Sequence, residues 1–358
     1  MAQIFSRLNT RAGQIKAVLI AFIVLELFIW LGVVNEYWAL VVMSLGINII
    51  LAVSLNLING FTGQFSLGHA GFMAIGGYTA AVFSLNFVPK LIEAGVLPVL
   101  ENIRQTVGPL PELYLPFAKL FFPGGIVLLF TMICGGVLAA LMGFLIGLPT
   151  LRLRGDYLAI ATLGLGEIIR LSILNINYLG GATGMPRIPQ YATVFSCLVV
   201  AVVTVMVIQN IIKSTHGRAM LAVREDEIAA ESMGINTTRY KVAAFTIGAF
   251  FAGVAGALYA HTYYLVYPNS FSFMKTIDVL VMVVIGGQGS IGGSIAGAIL
   301  FTVLNAFLSS FPTVRMVVFA VFLVVAMIFL PRGLLSVKDL VQPLFRKAGG
   351  TANASRHQ

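Results

Sequence analysis

The sequence is poor in charged residues and in cysteine. Only 10% of its 358 residues are Asp, Glu, Lys or Arg, and 59% are hydrophobic, whereas about a quarter of an average soluble domain is charged. Because a soluble fold cannot bury so much apolar surface, the composition excludes a soluble enzyme and a secreted binding module. Cys134 and Cys197 lie in separate apolar segments without a CxxC spacing, so we expect neither a disulfide framework nor a metal site.

A phosphate-binding loop and a catalytic constellation are also missing. No Gly-Lys dipeptide occurs in the chain, so it has no Walker A loop for ATP. His216 and His261 stand far apart without metal-ligand spacing, and no nucleophile, base and orienting residue group together. We therefore expect a protein that is not an enzyme, that holds no cofactor, and that takes its energy from a partner or an ion gradient.

Long stretches of the chain carry no charge at all. Those between Glu36 and Lys90 and between Asp278 and Arg315 each exceed the roughly 18 to 20 residues that cross a bilayer as a helix. We predict an all-α, polytopic transmembrane bundle of ten helices. Their predicted ranges are 17–34, 37–57, 66–85, 124–148, 157–176, 193–212, 242–263, 276–285, 291–309 and 314–330. Because 276–285 is too short to span unaided and glycine interrupts two regions, eight full spans with two broken segments is the alternative.

The basic residues predict an orientation. The formal net charge is +9, but these residues sit in short loops and tails and form no single face, which argues against nucleic-acid binding. Threading ten helices alternately places most of them on one side, which we predict to be cytoplasmic. They are Arg152, Arg154, Lys213, Arg218, Arg224, Arg239, Lys241, Arg332, Lys338, Arg346 and Lys347. Both termini are then cytoplasmic, and the proline-rich loop 86–123 is extracytoplasmic.

The domain organisation follows from the same pattern. Basic residues precede the apolar run 17–34 as in a signal peptide, but no small-residue cleavage site follows, so we interpret this run as a retained first helix. We predict one transmembrane domain over residues 1–345 and a polar tail over 346–358.

Two glycine-rich motifs share one pattern. G-Q-F-S-L-G at 63–68 and G-Q-G-S-I-G at 287–292 both fit G-Q-x-S-[L/I]-G, one in each half of the chain. Paired glycine-broken segments in two halves are typical of transporter folds, where they mark the translocation region. The threading places both motifs on the cytoplasmic side, which predicts parallel repeats, whereas inverted repeats would change the helix count. The glycines expected to permit backbone breaks or close helix approach are Gly63, Gly68, Gly76, Gly77, Gly286, Gly287 and Gly289.

Polar residues inside the apolar segments are candidates for the translocation pathway. Gln64, Ser66 and Gln288 could contact a polar solute without the desolvation cost of a fixed charge. Glu167 and Arg170 stand three residues apart on one helical face. A structural ion pair is our leading interpretation for these two, and lining the pathway is the alternative.

Two further ionisable residues have no settled role. His69, in the first motif region, could carry a proton, but a hydrogen-bonded packing role is the commoner one for a lone helical histidine. Glu26 stands alone in the first predicted helix. It could be neutralised, meet a neighbouring helix or lie at a subunit interface, and the sequence does not rank these.

The longest hydrophilic stretch on the predicted cytoplasmic side before the tail is 213–241. Within it, R-E-D-E-I-A-A-E-S-M-G at 224–234 predicts a short helix with acidic residues at its positive end and Gly234 as its left-handed cap. Small residues flanked by charges suit docking into a partner's groove, and an ordinary solvated helix is the alternative. The predicted docking helix comprises Arg224, Glu225, Asp226, Glu227, Ile228, Ala229, Ala230, Glu231 and Gly234.

This stretch resembles the cytoplasmic loop of ABC importer permeases, in which a Glu-Ala-Ala, three residues, Gly pattern docks on the ATP-binding subunit. The chain departs from it by carrying Ile228 where Glu would stand and by lacking the later Leu-Pro. A fuller match is with the branched-chain amino acid permeases of the LivM type. It rests on L-N-L-I-N-G at 55–60, G-Q-F-S-L-G-H-A at 63–70, R-L-R-G-D-Y-L-A-I at 152–160 and T-L-G-L-G-E-I-I-R at 162–170, with 224–234 and 286–292.

The resemblance implies a permease subunit in a lipid bilayer, assembled with a second, LivH-like permease, two cytoplasmic ATP-binding subunits and an extracytoplasmic solute-binding protein. ATP would be bound by the partners. The turn at 183–186 falls where the family has a glycine-rich outward turn, so it either meets the binding protein or makes no contact. The implied solutes are branched-chain amino acids. Urea, amides or other amino acids are the nearest alternatives, and an ion-coupled secondary transporter is a more remote one.

Overall fold

The computed structural model describes residues 35–87, 123–151, 153, 155–310 and 321, which form a bundle of α-helices. The helices are α1 (Glu36–Asn56), α2 (His69–Val82), α3 (Pro123–Thr150), α4 (Asp156–Asn175), α5 (Val194–Lys213), α6 (Thr215–Glu225), α7 (Glu227–Ser232), α8 (Thr237–Tyr263), α9 (Phe273–Gly286) and α10 (Ile291–Phe307). Wider π-helical turns extend α1 over Leu57–Phe61 and α2 over Phe83–Phe87, and short 3-10 turns cover Asn177–Leu179, Gly181–Thr183, Pro268–Phe271 and Leu308–Ser310.

Seven of the described helical segments are long and apolar enough to cross a membrane, and α10 is a shorter apolar helix. This confirms the predicted class, an all-α polytopic membrane bundle. Several predicted features lie outside the described residues: the helix 17–34, all of the helix 314–330 except residue 321, most of the loop 86–123, the tail, Glu26, Arg152 and Arg154. The predicted total of ten helices therefore stays a prediction.

Two predicted helix ranges are wrong. The range 66–85 begins too early, because Gly63 has a positive φ of 69° and the chain turns before α2 starts at His69. The range 276–285 is too short, because the chain continues as one apolar helical segment over Pro268–Gly286. The prediction began that helix only after Lys275, but the Lys275 side chain is held inside the segment by contacts with Asn48 and Asp278 that the sequence does not show.

The centre of the bundle is α8, which packs against α1, α2 and α3. Close approach depends on glycine: a Cβ at Gly76 of α2 would collide with the backbone of Gly253 of α8, and a Cβ at Gly253 would lie 2.6 Å from the carbonyl oxygen of Gly135 on α3. Small residues at helix crossings replace the hydrophobic effect as the main packing device inside a bilayer. This packing predicts that α2, α3 and α8 move as one unit.

The two ends of the bundle are structurally distinct. At one end, which we call the motif end, α1 and α9 finish and α2 and α10 begin. At the other end, which we call the opposite end, the Tyr37 hydroxyl donates to the Ala306 carbonyl at 2.8 Å. A two-residue sheet at this opposite end pairs β1 (Met185–Pro186) with β2 (Leu265–Val266). Both motifs lie at the motif end, so the two motif-bearing helix pairs run in the same direction, as the threading predicted.

Candidate functional site

The two glycine-broken motifs meet at the motif end. The Asn56 side chain, buried at the end of α1, accepts a hydrogen bond from the backbone N–H of Gly289 at 2.8 Å and donates one to the carbonyl of Ser290 at 3.0 Å. A Cβ at Gly60 would collide with the Gly289 nitrogen, so the two motif regions are in backbone contact. Asn56 thus joins the first motif region to the second.

The first motif is also closed on itself and against α4. The Asn59 side chain accepts from the backbone N–H of Ser66 at 3.2 Å, and the Leu67 N–H donates to the Thr162 hydroxyl at 3.0 Å. A Cβ at Gly68 would lie 2.5 Å from the carbonyl oxygen of Thr162, so only glycine permits this approach of α4. The break between α1 and α2 is therefore an ordered loop held from two sides.

Arg224, at the end of α6, connects this junction to the hydrophilic loop. Its Nη1 atom donates to the Gly60 carbonyl at 2.8 Å, and its side chain lies against Gly63 and Gly289. Charge-assisted hydrogen bonds of this kind are stronger than neutral ones. One side chain of the hydrophilic loop thus contacts both motif regions.

Three of the predicted pathway residues cluster at the first motif. Gln64, Ser66 and His69 are all buried. Both polar atoms of the Gln64 side chain, the Ser66 hydroxyl and His69 Nδ1 have no hydrogen-bond partner within the described chain. The Ser54 hydroxyl donates to Leu51 at 3.0 Å, so its 2.9 Å contact with His69 Nε2 is a hydrogen bond donated by the imidazole.

Gln288 and the motif glycines differ in their surroundings. Gln288 is exposed on the second motif and is not part of the buried cluster. Positive φ values occur at Gly63, Gly287 and Gly289, at 69°, 102° and 82°. A Cβ at Gly286 would collide with Gly293 at the crossing of α9 and α10. These glycines therefore serve the backbone breaks and close approaches that the sequence predicted.

Glu167 and Arg170 form an ion pair on α4, with 2.7 Å between Oε2 and Nε. The second carboxylate oxygen of Glu167 accepts from the backbone N–H of Phe273 at 3.1 Å, and Arg170 Nη1 donates to Asn269 at 3.3 Å. The carboxylate thus lies at the positive N-terminal end of α9. The pair fastens α4 to the start of α9, and its part in a pathway stays a prediction.

The hydrophilic loop folds as two helices, α6 and α7. The single helix predicted from Arg224 is wrong: Asp226 has an extended backbone and caps α7 by accepting from the N–H groups of Ile228 and Ala229 at 2.9 and 3.0 Å. Aspartate ends one helix and starts the next because its carboxylate satisfies free N–H groups. Gly234 follows with a φ of 82°, as predicted for a left-handed cap.

The outer face of α7 is exposed and partly apolar. Ile228 is 70% exposed and Met233 83%, whereas Ala230 is buried. Glu227 pairs with Lys241 of α8 at 2.7 Å, which fixes α7 against the bundle, and Glu231 is exposed. An anchored helix that presents large apolar side chains among acidic ones is suited to docking a partner.

Sequence reasoning missed several residues. The sequence assigned no role to Asn56 and Asn59, because their hydrogen bonds across a backbone break depend on the tertiary fold. Lys275 and Asn48 line a pocket at the opposite end. A signal for Lys275 was present, because a cation within an apolar helical segment requires a partner or a function.

A bundle of apolar helices with two joined glycine-broken motifs and an exposed, partly apolar loop helix is typical of a polytopic membrane transport protein. The chain belongs to the family described as branched-chain amino acid transport system / permease component, whose model matches residues 37–329. It is 34% identical to the high-affinity branched-chain amino acid transport system permease protein LivM of Escherichia coli K12, over 87% of this chain and 72% of that protein. No solved structure matches.

Two other relatives extend the comparison. A probable branched-chain amino acid transport permease protein LivM of Methanocaldococcus jannaschii is 23% identical over 86% of this chain and 96% of its own length. The permease protein LivH of Salmonella typhimurium is 34% identical over 124 residues, which cover 34% of this chain and 40% of LivH. The chain is thus similar to both permease types.

Proposed function

We propose that this chain is the LivM-type permease subunit of an ABC importer for branched-chain amino acids in the prokaryotic inner membrane. The observation that carries the proposal is the 34% identity to LivM over 87% of the chain. Its similarity to LivH supports a second, homologous permease as the partner. Two ATP-binding subunits, a solute-binding protein and cytoplasmic termini complete the proposed assembly.

Helices α6 and α7, here named the coupling helices, supply the proposed mechanism. The exposed face of α7, with Ile228 and Met233, would dock on an ATP-binding subunit. Movement of that subunit on binding ATP would displace α6 and α7 together, because only Asp226 separates them. Arg224 would pass this displacement to the Gly60 carbonyl and to Gly289, and Asn56 would move both motifs together. The side of the membrane from which the solute can enter would then change at the glycine-broken segments.

The pathway residues follow from this mechanism. Gln64, Ser66 and His69 have buried polar atoms beside the moving junction, so a polar solute passing it would find hydrogen-bonding groups there. Gln288 would take part only when the second motif moves. Glu167 and Arg170 would hold α4 to α9 during transport.

Uptake by the complete system tests the proposed function. The permease pair, both ATP-binding subunits and the binding protein are co-expressed in a strain that lacks its own branched-chain import, and labelled leucine uptake is measured. We expect uptake that is lost when the Walker A lysine of the ATP-binding subunits is replaced. Uptake that survives this change but stops with an ionophore would establish an ion-coupled transporter instead. Uptake of urea but not of leucine would replace the proposed solute.

Docking at α7 is tested by co-purification in mild detergent. Ile228→Glu and Met233→Glu place charge on the exposed apolar face, and we expect both to lose the ATP-binding subunits. Thr238→Glu is the matched control: it adds the same charge at an exposed site in the first turn of α8, where an acid is favourable. Retention of the ATP-binding subunits by both α7 variants would overturn docking at this helix.

A further inference from the structure

A pocket with both polar and apolar lining residues opens at the opposite end of the bundle, away from both motifs. It has a volume of about 260 Å³ and lies among α1, α8, α9 and α10. Pockets for drug-sized ligands start at about 300 Å³, so this one suits a smaller solute. If the motif end is cytoplasmic, as predicted, this pocket faces the side on which a binding protein delivers its solute.

Lys275 is the one cation among the described residues that line the pocket. Lys275 is half-buried, and its ammonium donates to the Asn48 side-chain oxygen at 3.4 Å. Asp278, one turn further along α9, interacts electrostatically with Lys275 but does not line the pocket. The acid lowers the cost of keeping the lysine charged within an apolar segment.

Asn48 holds the ammonium in place. Its Nδ2 atom donates to the Thr302 hydroxyl at 2.9 Å, and that hydroxyl donates to the Ala298 carbonyl at 2.7 Å. The Thr302 oxygen can therefore only accept from Asn48, which fixes the amide orientation and turns Oδ1 toward Lys275. Three elements, α1, α9 and α10, thus combine to position one donor group.

The rest of the pocket is suited to an amphipathic solute. The Tyr259 and Tyr263 rings, with centroids 4.5 Å apart, form an aromatic wall, and Leu40 and Ile47 add apolar surface. The Tyr263 hydroxyl is engaged with Ser44, so its ring is held in place. A charged donor beside an apolar wall complements a molecule with a carboxylate and a hydrocarbon side chain.

We propose that this pocket is an entry site for the solute, in which Lys275 binds the carboxylate and Asn48 is its positioning residue. This inference rests on the proposed function and deepens it, because a carboxylate requirement favours amino acids over urea and neutral amides. The hydrocarbon side chain would lie against Tyr259 and Tyr263.

The test uses the complete transporter in proteoliposomes with its leucine-loaded binding protein, in a Cys134→Ala background. Lys275→Met removes the charge at nearly constant volume, and Lys275→Arg keeps it. We expect leucine uptake to fall at least about tenfold in Lys275→Met, the loss that a charge-assisted hydrogen bond would give, and to be largely kept in Lys275→Arg. The assembled complex and its ATPase activity are measured alongside.

Chemical rescue separates charge from packing. Lys275→Cys is labelled after assembly with an aminoethyl thiol reagent, which restores an ammonium, or with a neutral methyl thiol reagent. We expect only the first to restore uptake, and we expect leucine-loaded binding protein to slow the labelling. Normal uptake by Lys275→Met, or equal rescue by both reagents, would overturn the inference and leave the proposed function standing. If the intact transporter carries no branched-chain amino acid, both the proposed function and this inference are wrong.

Discussion

The Arg224 guanidinium donates to the Gly60 carbonyl at 2.8 Å and lies against Gly289, so one side chain of the coupling helices touches both glycine-broken motifs. Residues 164 positions apart in the chain are joined by this bond. A cationic donor on α6 and a carbonyl at a backbone break form a charge-assisted hydrogen bond, which is stronger than a neutral one. This contact links the hydrophilic loop to the motifs.

Arg224→Ala should uncouple ATP hydrolysis from transport. The substitution removes a charge-assisted hydrogen bond, so we expect leucine uptake to fall about tenfold or more while the ATP-binding subunits still co-purify. Uptake and ATPase rates of the same proteoliposomes are compared. Arg218→Ala is the control, because Arg218 is exposed on the same helix. Uptake per ATP equal to that of the intact chain would rule out Arg224 as the connection.

Asn56→Ala should destabilise the junction of the motifs. The change leaves the Gly289 N–H without its partner, at a cost of about 1–3 kcal/mol. It also removes one of the hydrogen bonds to the Ser290 carbonyl, which still accepts from Ser294. Thermal unfolding in detergent measures the loss. Asn175→Ala is the matched control, because the exposed Asn175 side chain donates a hydrogen bond to Leu171 of its own helix. Equal unfolding temperatures for the two variants would contradict the interpretation.

Gly253→Ala should destabilise the central packing, because a Cβ there would lie 2.6 Å from both Ala139 and the Gly135 carbonyl oxygen. Overpacking of this kind costs about 1–3 kcal/mol. Gly164→Ala on α4 is the control, because a Cβ at Gly164 meets nothing within 4 Å. It should stabilise the protein by up to about 1 kcal/mol through helix propensity. The reverse order of unfolding temperatures would show that α8 does not pack as described.

Glu167→Gln should separate the structural role from the pathway role. If the ion pair holds α4 to α9, both Glu167→Gln and Arg170→Gln lower the unfolding temperature, and the double variant loses less than the sum of the two. Leucine uptake should then fall only in proportion to folded protein. A loss of uptake at an unchanged unfolding temperature would instead place the pair on the pathway.

The sequence predicted the fold class well, because membrane helices can be recognised from the length of an apolar run and its lack of charged residues. The predicted helices 37–57 and 242–263 correspond to α1 (Glu36–Asn56) and α8 (Thr237–Tyr263) within a few residues. The ends of α2 and α9 were predicted poorly, because they depend on a glycine turn and on Lys275, which tertiary contacts hold. Spacing alone could pair Glu167 with Arg170, but it could not reveal the N–H of Phe273.

By itself, the sequence determined that the chain is a helical membrane bundle with one glycine-rich motif in each half. It also determined that a glycine-capped hydrophilic segment lies between the motifs. Each of these features depends only on local composition and residue spacing. Only the tertiary structure decided that the motifs touch through Asn56, that Arg224 reaches both, and that Lys275 faces a pocket. These contacts join residues far apart in the chain, and their distances are set by how the helices pack.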